Sequence, residues 1–414
     1  LRHKMLDIRN YAIVTAAYWG FMLSDGALRM LVLLHFHALG YSSFQLALLF
    51  LIYEFMGIVT NAGGGWIASR FGLKLTLTLG LSMQVAALFA LSALQPDWSA
   101  AVSVTYVLLV QGISGVAKDL TKMSSKSAIK LVLPSDAHGA LYKWVALLTG
   151  SKNAIKGLGF FLGAVLLSTL GFAGGLYAMA GFLAVILVMA LAFVDAVMGK
   201  ASQKAKLVDI FSKSRAINLL SAARVFLFGA RDVWFVVGVP VYLYDQAGWT
   251  FNEVGGFMAL WVIGYGAVQA FAPKLTKSSP DGRSSEVRAA AIWIVLLALT
   301  PLVMISGLSF DVFSSLSATL VLVVGLAIFG AVFAVNSAVH SYLILAYSER
   351  DGVTLNVGFY YAANAVGRLL GTLLSGAAYQ WGGIEGCLMV AFGFLLIAAV
   401  FTFMLQALGG QRSA

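Results

Sequence analysis

Eight basic side chains interrupt stretches that are otherwise apolar enough to lie in lipid: Arg29, Lys118, Lys143, Lys152, Lys156, Arg224, Arg231 and Arg368. A charge at mid-bilayer costs about 2.5–3.5 kcal/mol or more, so such residues are expected to face protein or a water-filled cavity. Lys118 and Lys143 fall near the ends of their stretches, where a lysine stem can snorkel to the interface. The other six are deep. Four acids accompany them, Asp25, Glu54, Asp119 and Asp232, with Asp195 at the margin of another stretch. Asp25 and Arg29 have the i, i+4 spacing of an intrahelical ion pair. Arg231 and Asp232 are neighbours, about 100° apart around a helix, which predicts that they do not neutralise each other. Lys152 and Lys156 share one helix face, as do Arg224 and Arg231, seven residues apart.

Even with all four acids paired, positive charge is left over, and the simplest partner for it is a multivalent organic anion. Arginine meets phosphate, arsenate and carboxylate oxygens with a planar fork of donors, whereas lysine acts as a point charge. The expected binding set is therefore Arg29, Lys152, Lys156, Arg224, Arg231 and Arg368, with Tyr53, Asn153, Tyr360, Tyr361 and Asn364 available to orient the ligand. Asp25, Glu54, Lys118, Asp119 and Asp232 form the expected coupling or ion-pair set, and Asp25, Glu54 and Asp232 are the acids to test if protons are coupled to movement of the anion.

Other chemistry is poorly served. The five histidines, His3, His35, His37, His138 and His340, have no metalloprotease spacing, and no Gly-x-Ser-x-Gly elbow is present. His35 and His37 point apart at i, i+2 and make a poor metal pair. Cys387 is the sole cysteine, which rules out an intramolecular disulfide and a thiolate cage for a soft metal. Neither an enzyme nor a bound metal or cofactor is expected.

The elements that must position these charges are membrane-spanning helices. Of 414 residues, 60% are hydrophobic and 11% charged, a balance that cannot clothe a water-soluble surface. The chain divides into twelve apolar spans, at 11–39, 43–68, 75–94, 100–122, 139–170, 173–198, 216–245, 250–273, 288–307, 313–346, 353–380 and 384–407. The first is too long for a signal-peptide core and is expected to be retained. A basic connection at 199–215 separates two six-helix bundles, 1–198 and 216–414. The expected class is thus an all-α membrane protein, with no extramembrane domain of the kind a receptor or scaffold would carry.

Nineteen of the 27 Lys and Arg residues fall outside the spans, and all nineteen lie on the side of the N-terminus; the opposite loops hold Asp97, Asp245, Glu253, Asp311 and Glu385 instead. The positive-inside rule then places both termini in the cytoplasm of a bacterial inner membrane. The net charge of +10 is a topology signal and not a nucleic-acid footprint. The expected partners are the bilayer and a small anion, with the protein a monomer.

The two halves match at a constant offset of 208 residues. Gly40-Tyr41-Ser42-x-x-Gln45 corresponds to Gly248-Trp249-Thr250-x-x-Glu253, and Gly150, Gly159, Gly163, Gly174 and Gly175 recur as Gly358, Gly367, Gly371, Gly382 and Gly383. Six helices separate the copies, so the repeat is parallel. Gly159-x-x-x-Gly163 and Gly367-x-x-x-Gly371 supply smooth faces for close helix packing. Between the second and third spans, Gly65-Trp66-Ile67-Ala68-Ser69-Arg70-Phe71-Gly72-Leu73-Lys74 resembles the signature loop of the major facilitator superfamily, with Ser69 where that loop usually carries Asp.

A narrower resemblance rests on polar runs inside the helices: Ser24-Asp25-Gly26-Ala27-Leu28-Arg29-Met30, Lys118-Asp119-Leu120-Thr121-Lys122-Met123, Trp144-Val145-Ala146-Leu147-Leu148-Thr149-Gly150-Ser151-Lys152-Asn153-Ala154 and Gly229-Ala230-Arg231-Asp232-Val233-Trp234-Phe235. These resemble the ArsJ family of organoarsenical efflux permeases. The resemblance implies export of an arsenylated phosphoglycerate, with a glyceraldehyde-phosphate dehydrogenase as functional partner and arsenate resistance as the outcome. Such a ligand offers hard oxyanions suited to Arg and Lys, where trivalent arsenic would call for thiolates. The competing expectations are an organic phosphate or organic anion transporter, and a proton-coupled drug exporter, whose cavity would be rich in carboxylates and poor in cations. Rocker-switch alternating access is expected, with Arg29 and Arg231 gripping one end of the ligand and Lys152, Lys156 and Arg368 the rest.

Overall fold

A computed structural model describes the backbone of residues 2–132, 138–194, 214–276, 283–309, 317–347 and 353–410, and their side chains except those of 2–8, 62–71, 73, 123, 126–132, 138–150, 273, 345, 353–358 and 409–410. The linker around 199–213, Lys143 and the side chains of the 65–71 loop lie outside what is described. The described chain is helical and contains no strand. Its helices are α1 (Arg2–Ala38), α2 (Ser43–Leu48), α3 (Leu51–Phe71), α4 (Leu73–Ser92), α5 (Ala100–Val132), α6 (His138–Phe193), α7 (Arg215–Phe235), α8 (Gly238–Asp245), α9 (Phe251–Leu275), α10 (Ser284–Ser309), α11 (Ala318–Tyr347) and α12 (Val353–Gly410).

These twelve helices are not one crossing each. Ten continuous stretches are long and apolar enough to cross a bilayer, and two of them, 43 and 50 residues long, are too long for one crossing. Each is a pair of crossings joined at a glycine kink, Gly171 (φ 70°) in α6 and Gly382–Gly383 (φ 59° at Gly383) in α12. A positive φ is costly for any residue with a Cβ, so glycine lets the chain reverse there with almost no loop. Conversely, α2 with α3 forms one crossing, and α7 with α8 another. Twelve crossings result.

The seventh predicted span breaks at Val236–Val237 because Pro240 has no N–H and its ring collides with the carbonyl of residue 236. The Ser375 hydroxyl takes up backbone N–H groups exposed by the break, 3.0 Å from Val237 N and 3.3 Å from Gly238 N. At the start of α2, Ser42 and Gln45 form a reciprocal capping box.

The chain folds as two compact units, one of 1–39, 52–207 and 251–260, the other of 40–51, 208–250 and 261–414. In the first, α1 packs on α6 at glycine contacts with no room for a side chain. A Cβ on Gly26 would meet the Lys156 carbonyl, one on Gly159 the Leu23 carbonyl, and one on Gly163 the Ala27 carbonyl. Residues 251–260 join this unit through Gly255 against Phe160 and Ala164, and through Ser168 Oγ to Asn252 Oδ1 at 3.1 Å. In the second, Gly367 and Gly371 of α12 pack in the same way on Val225 and Gly229 of α7. Residues 40–51 join it through Gly376 against Ser43 and Ala47, and through Phe44 N to Gln380 Oε1 at 3.2 Å.

Candidate functional site

The close α1–α6 approach sets Lys156 beside Asp25, with Lys156 Nζ 2.6 Å from Asp25 Oδ2. The other oxygen of Asp25 accepts the Tyr53 hydroxyl at 2.6 Å. Arg29 Nη2 reaches Glu54 Oε1 at 2.6 Å. The charges of α1 are therefore matched by α3 and α6, in place of the intrahelical Asp25–Arg29 pair their spacing suggests. Long basic side chains find carboxylates on neighbouring helices that sequence spacing does not display.

Tyr53 is the hub of this cluster. Its ring lies under Lys118 Nζ at 4.1 Å and within 5.7 Å of Arg29 Cζ, both within cation–π range. Lys118 is only 8% exposed. The snorkelling expected of it is thus incorrect: the Tyr53 face and the nearby carboxylates draw the ammonium inward. Asp119 receives the hydroxyl of Thr60 and pairs with Lys122 Nζ at 3.3 Å, while Lys122 also donates to Asn61 Oδ1 at 2.7 Å. Lys152 and Asn153 are half-buried on α6, about one turn before Lys156.

The second unit holds a different balance. Arg231 directs Nε and Nη2 to the same oxygen of Asp232, at 2.7 and 2.5 Å. This overturns the expectation that adjacent residues would point apart: a four-torsion arginine can fold back along the helix to a neighbour whose carboxylate cannot move. Asp232 Oδ2 faces Arg368 Nε at 3.6 Å, placed there by the glycine packing of α12 on α7. Arg224 donates Nε to Asn364 Oδ1 and Nη1 to the carbonyl and hydroxyl of Ser337, each at 3.1 Å. Its Cζ lies 3.9 Å from the Phe228 ring and 4.9 Å from Tyr360. Tyr361 lies edge-on to Tyr360, their ring centroids 6.0 Å apart.

An aromatic wall of Phe228, Trp234, Trp261, Tyr265, Phe329 and Phe333 lies alongside, with Trp261 fixed by its indole N–H to the Leu326 carbonyl at 2.8 Å. Such apolar rings lower the local dielectric and strengthen every charge interaction next to them. Sequence reasoning did not single out Ser337 and His340. The signal for them is a stripe, Asn336, Ser337, His340 and Ser341, at helical spacing within the apolar α11.

His35 stacks on Phe172 with centroids 4.0 Å apart, a packing role. Among the described residues no three His, Cys, Asp or Glu side chains group to hold a metal ion.

The chain is similar in structure to a bacterial homologue of the iron transporter ferroportin in an inward-facing state (TM-score 0.71, 13% identity, covering 96% of this chain and 99% of that one). It is also similar to the nucleoside transporter NupG (TM-score 0.71, 15% identity, 97% and 99%). A POT family transporter in complex with a thioalcohol-conjugated peptide gives a TM-score of 0.73 at 13% identity, covering 98% of this chain and 97% of that one. At such identities these likenesses establish the fold alone. No curated protein sequence matches the chain significantly. The sequence profile of the Major Facilitator Superfamily matches residues 12–341, and with the twelve helical crossings this makes the chain a multi-pass membrane protein that belongs to the Major Facilitator Superfamily of transporters.

Proposed function

We propose that this transporter exports a small multivalent oxyanion, an arsenylated phosphoglycerate, across the bacterial inner membrane by alternating access and so confers arsenate resistance. The observation that carries the reading is the charge balance around α7: Arg224, Arg231 and Arg368 are set against a single carboxylate, Asp232. Buried charge of one sign needs a counter-charge, and arginine forks fit tetrahedral oxyanions. The polar runs that resemble the organoarsenical permeases supply the identity of the anion. A glyceraldehyde-phosphate dehydrogenase acting on arsenate supplies the substrate.

In the first unit, the cations Arg29, Lys118, Lys122 and Lys156 lie against Asp25, Glu54 and Asp119. That pairing supports a positioning role for these acids and leaves proton coupling unnecessary. With the cell interior negative, outward movement of an anion releases about 2.3 kcal/mol per charge per 100 mV.

The test is arsenate survival of a sensitive strain expressing the chain with and without the dehydrogenase, with retained arsenic measured in parallel. Protection that needs both proteins is expected, and an Arg29→Ala, Arg231→Ala double variant that still inserts loses it. Retained protection in that variant overturns the site assignment. Absence of protection from a correctly inserted wild-type protein overturns the arsenical substrate in favour of an organic phosphate or other organic anion.

A further inference from the structure

Two arginines of α7 bracket one aromatic ring. Arg224 Cζ lies 3.9 Å and Arg231 Cζ 4.8 Å from the centroid of Phe228, so the two guanidinium carbons are less than about 9 Å apart. Their surroundings differ. Arg231 shares its charge with Asp232, whereas Arg224 is 5% exposed and meets only the neutral acceptors of Asn364 and Ser337. One helical turn beyond Ser337 stands His340, 1% exposed, with neither ring nitrogen hydrogen-bonded. Ser221, three residues before Arg224 on the same helix, also keeps a buried hydroxyl without a partner. Buried polar groups nearly always find partners, and one left unpaired costs about 1–3 kcal/mol. A charged, donor-rich end without a carboxylate, next to a second charged end that holds one, is the arrangement expected around an absent ligand with two anionic groups.

We propose that this cluster is a two-ended receptor for one small molecule that carries two oxyanion groups on a short carbon chain. Arg224, with His340 and Ser337 beside it, takes one group, and Arg231 takes the other. Asp232 is the carboxylate that the second group displaces, and Arg368, already 3.6 Å away, holds it when Arg231 lets go. A backbone of about three carbons sets two phosphate-like centres roughly 6–7 Å apart, a span that two guanidinium groups so spaced can grip together. A single phosphate fills one end only. The inference rests on the anion reading above and adds to it the number and separation of the charged groups.

Equilibrium binding to the purified full chain in detergent tests this with three probes: inorganic phosphate, glycerol 3-phosphate and propane-1,3-diol bisphosphate. The bisphosphate is expected to bind at least about tenfold tighter than either single phosphate, as a second charge-assisted contact would give. Arg224→Gln is expected to reduce the bisphosphate to the affinity of glycerol 3-phosphate. Equal affinity for one- and two-phosphate probes on the wild-type protein overturns the two-ended receptor while leaving an anion site standing, and needs no variant. A bisphosphate preference that survives in folded Arg224→Gln also overturns it. Failure of all three probes to bind overturns the anion reading itself together with this inference.

Discussion

Asp232 receives Arg231 on one oxygen and faces Arg368 with the other, at 2% side-chain exposure. Removing its charge leaves two buried guanidinium groups against none, and breaking a buried pair in this way costs about 3–5 kcal/mol. Asp232→Asn is therefore expected to melt well below the wild type in a thermal unfolding assay. Added phosphate should recover more of the loss than it adds to the wild type, since the anion replaces the missing carboxylate; a variant that melts like the wild type would show that the arginines are solvated. The ionisable residues were legible in the sequence as a set, but their partners were not. Asp25 takes Lys156, which is 131 positions away, because α1 and α6 meet there at glycines. No spacing rule reports such a contact. Arg231 and Asp232 illustrate the reverse: side-chain torsions closed a gap that backbone angles alone would leave open.

At the scale of the helix, the pairs α1–α6 and α7–α12 are set by positions where a Cβ would strike a backbone carbonyl. The expected outcome for Gly163→Leu is loss of monodisperse protein on size-exclusion chromatography, since the Ala27 carbonyl occupies the space a side chain needs. Gly181→Leu is the control, because nothing lies within 4 Å of a Cβ there, and it should elute like the wild type. These glycines were readable beforehand from their four-residue spacing and their recurrence 208 residues later. The interruptions at Leu49–Phe50 and Val236–Val237 were not. Both fall inside unbroken apolar runs, where hydropathy continues although the backbone does not, and Pro240 was the only local sign of the second. The polar stripe on α11 was concealed for a related reason: four polar groups hardly lower the mean hydropathy of a 30-residue helix.

For the whole molecule, the distribution of basic residues predicts an orientation. Single cysteines introduced on a background with Cys387 replaced should separate into two classes when intact cells are treated with a membrane-impermeant thiol reagent. Asp97→Cys and Asp245→Cys are expected to react, and Arg283→Cys to be protected until the cells are opened. The opposite pattern would invert the proposed direction of export relative to the membrane potential. Crossing number, repeat and superfamily were all within reach of the sequence, because lipid imposes length and periodicity on every span. The identity of the cargo is carried by a handful of polar positions that lipid does not constrain.

The glycine contacts between α1 and α6 also have a mechanical meaning. Two rods touching backbone to backbone, with carbonyls lodged where side chains would be, cannot slide past one another without losing contact along their whole seam, so they behave as one stiff lever. Trp19 and Ser151, hydrogen-bonded at 3.0 Å across that pair, offer a way to fasten it. If both are replaced by cysteine in the Cys387-free background and bridged with a short bifunctional reagent, transport should continue at a similar rate. Arrest on bridging would mean that the seam itself shears during each cycle.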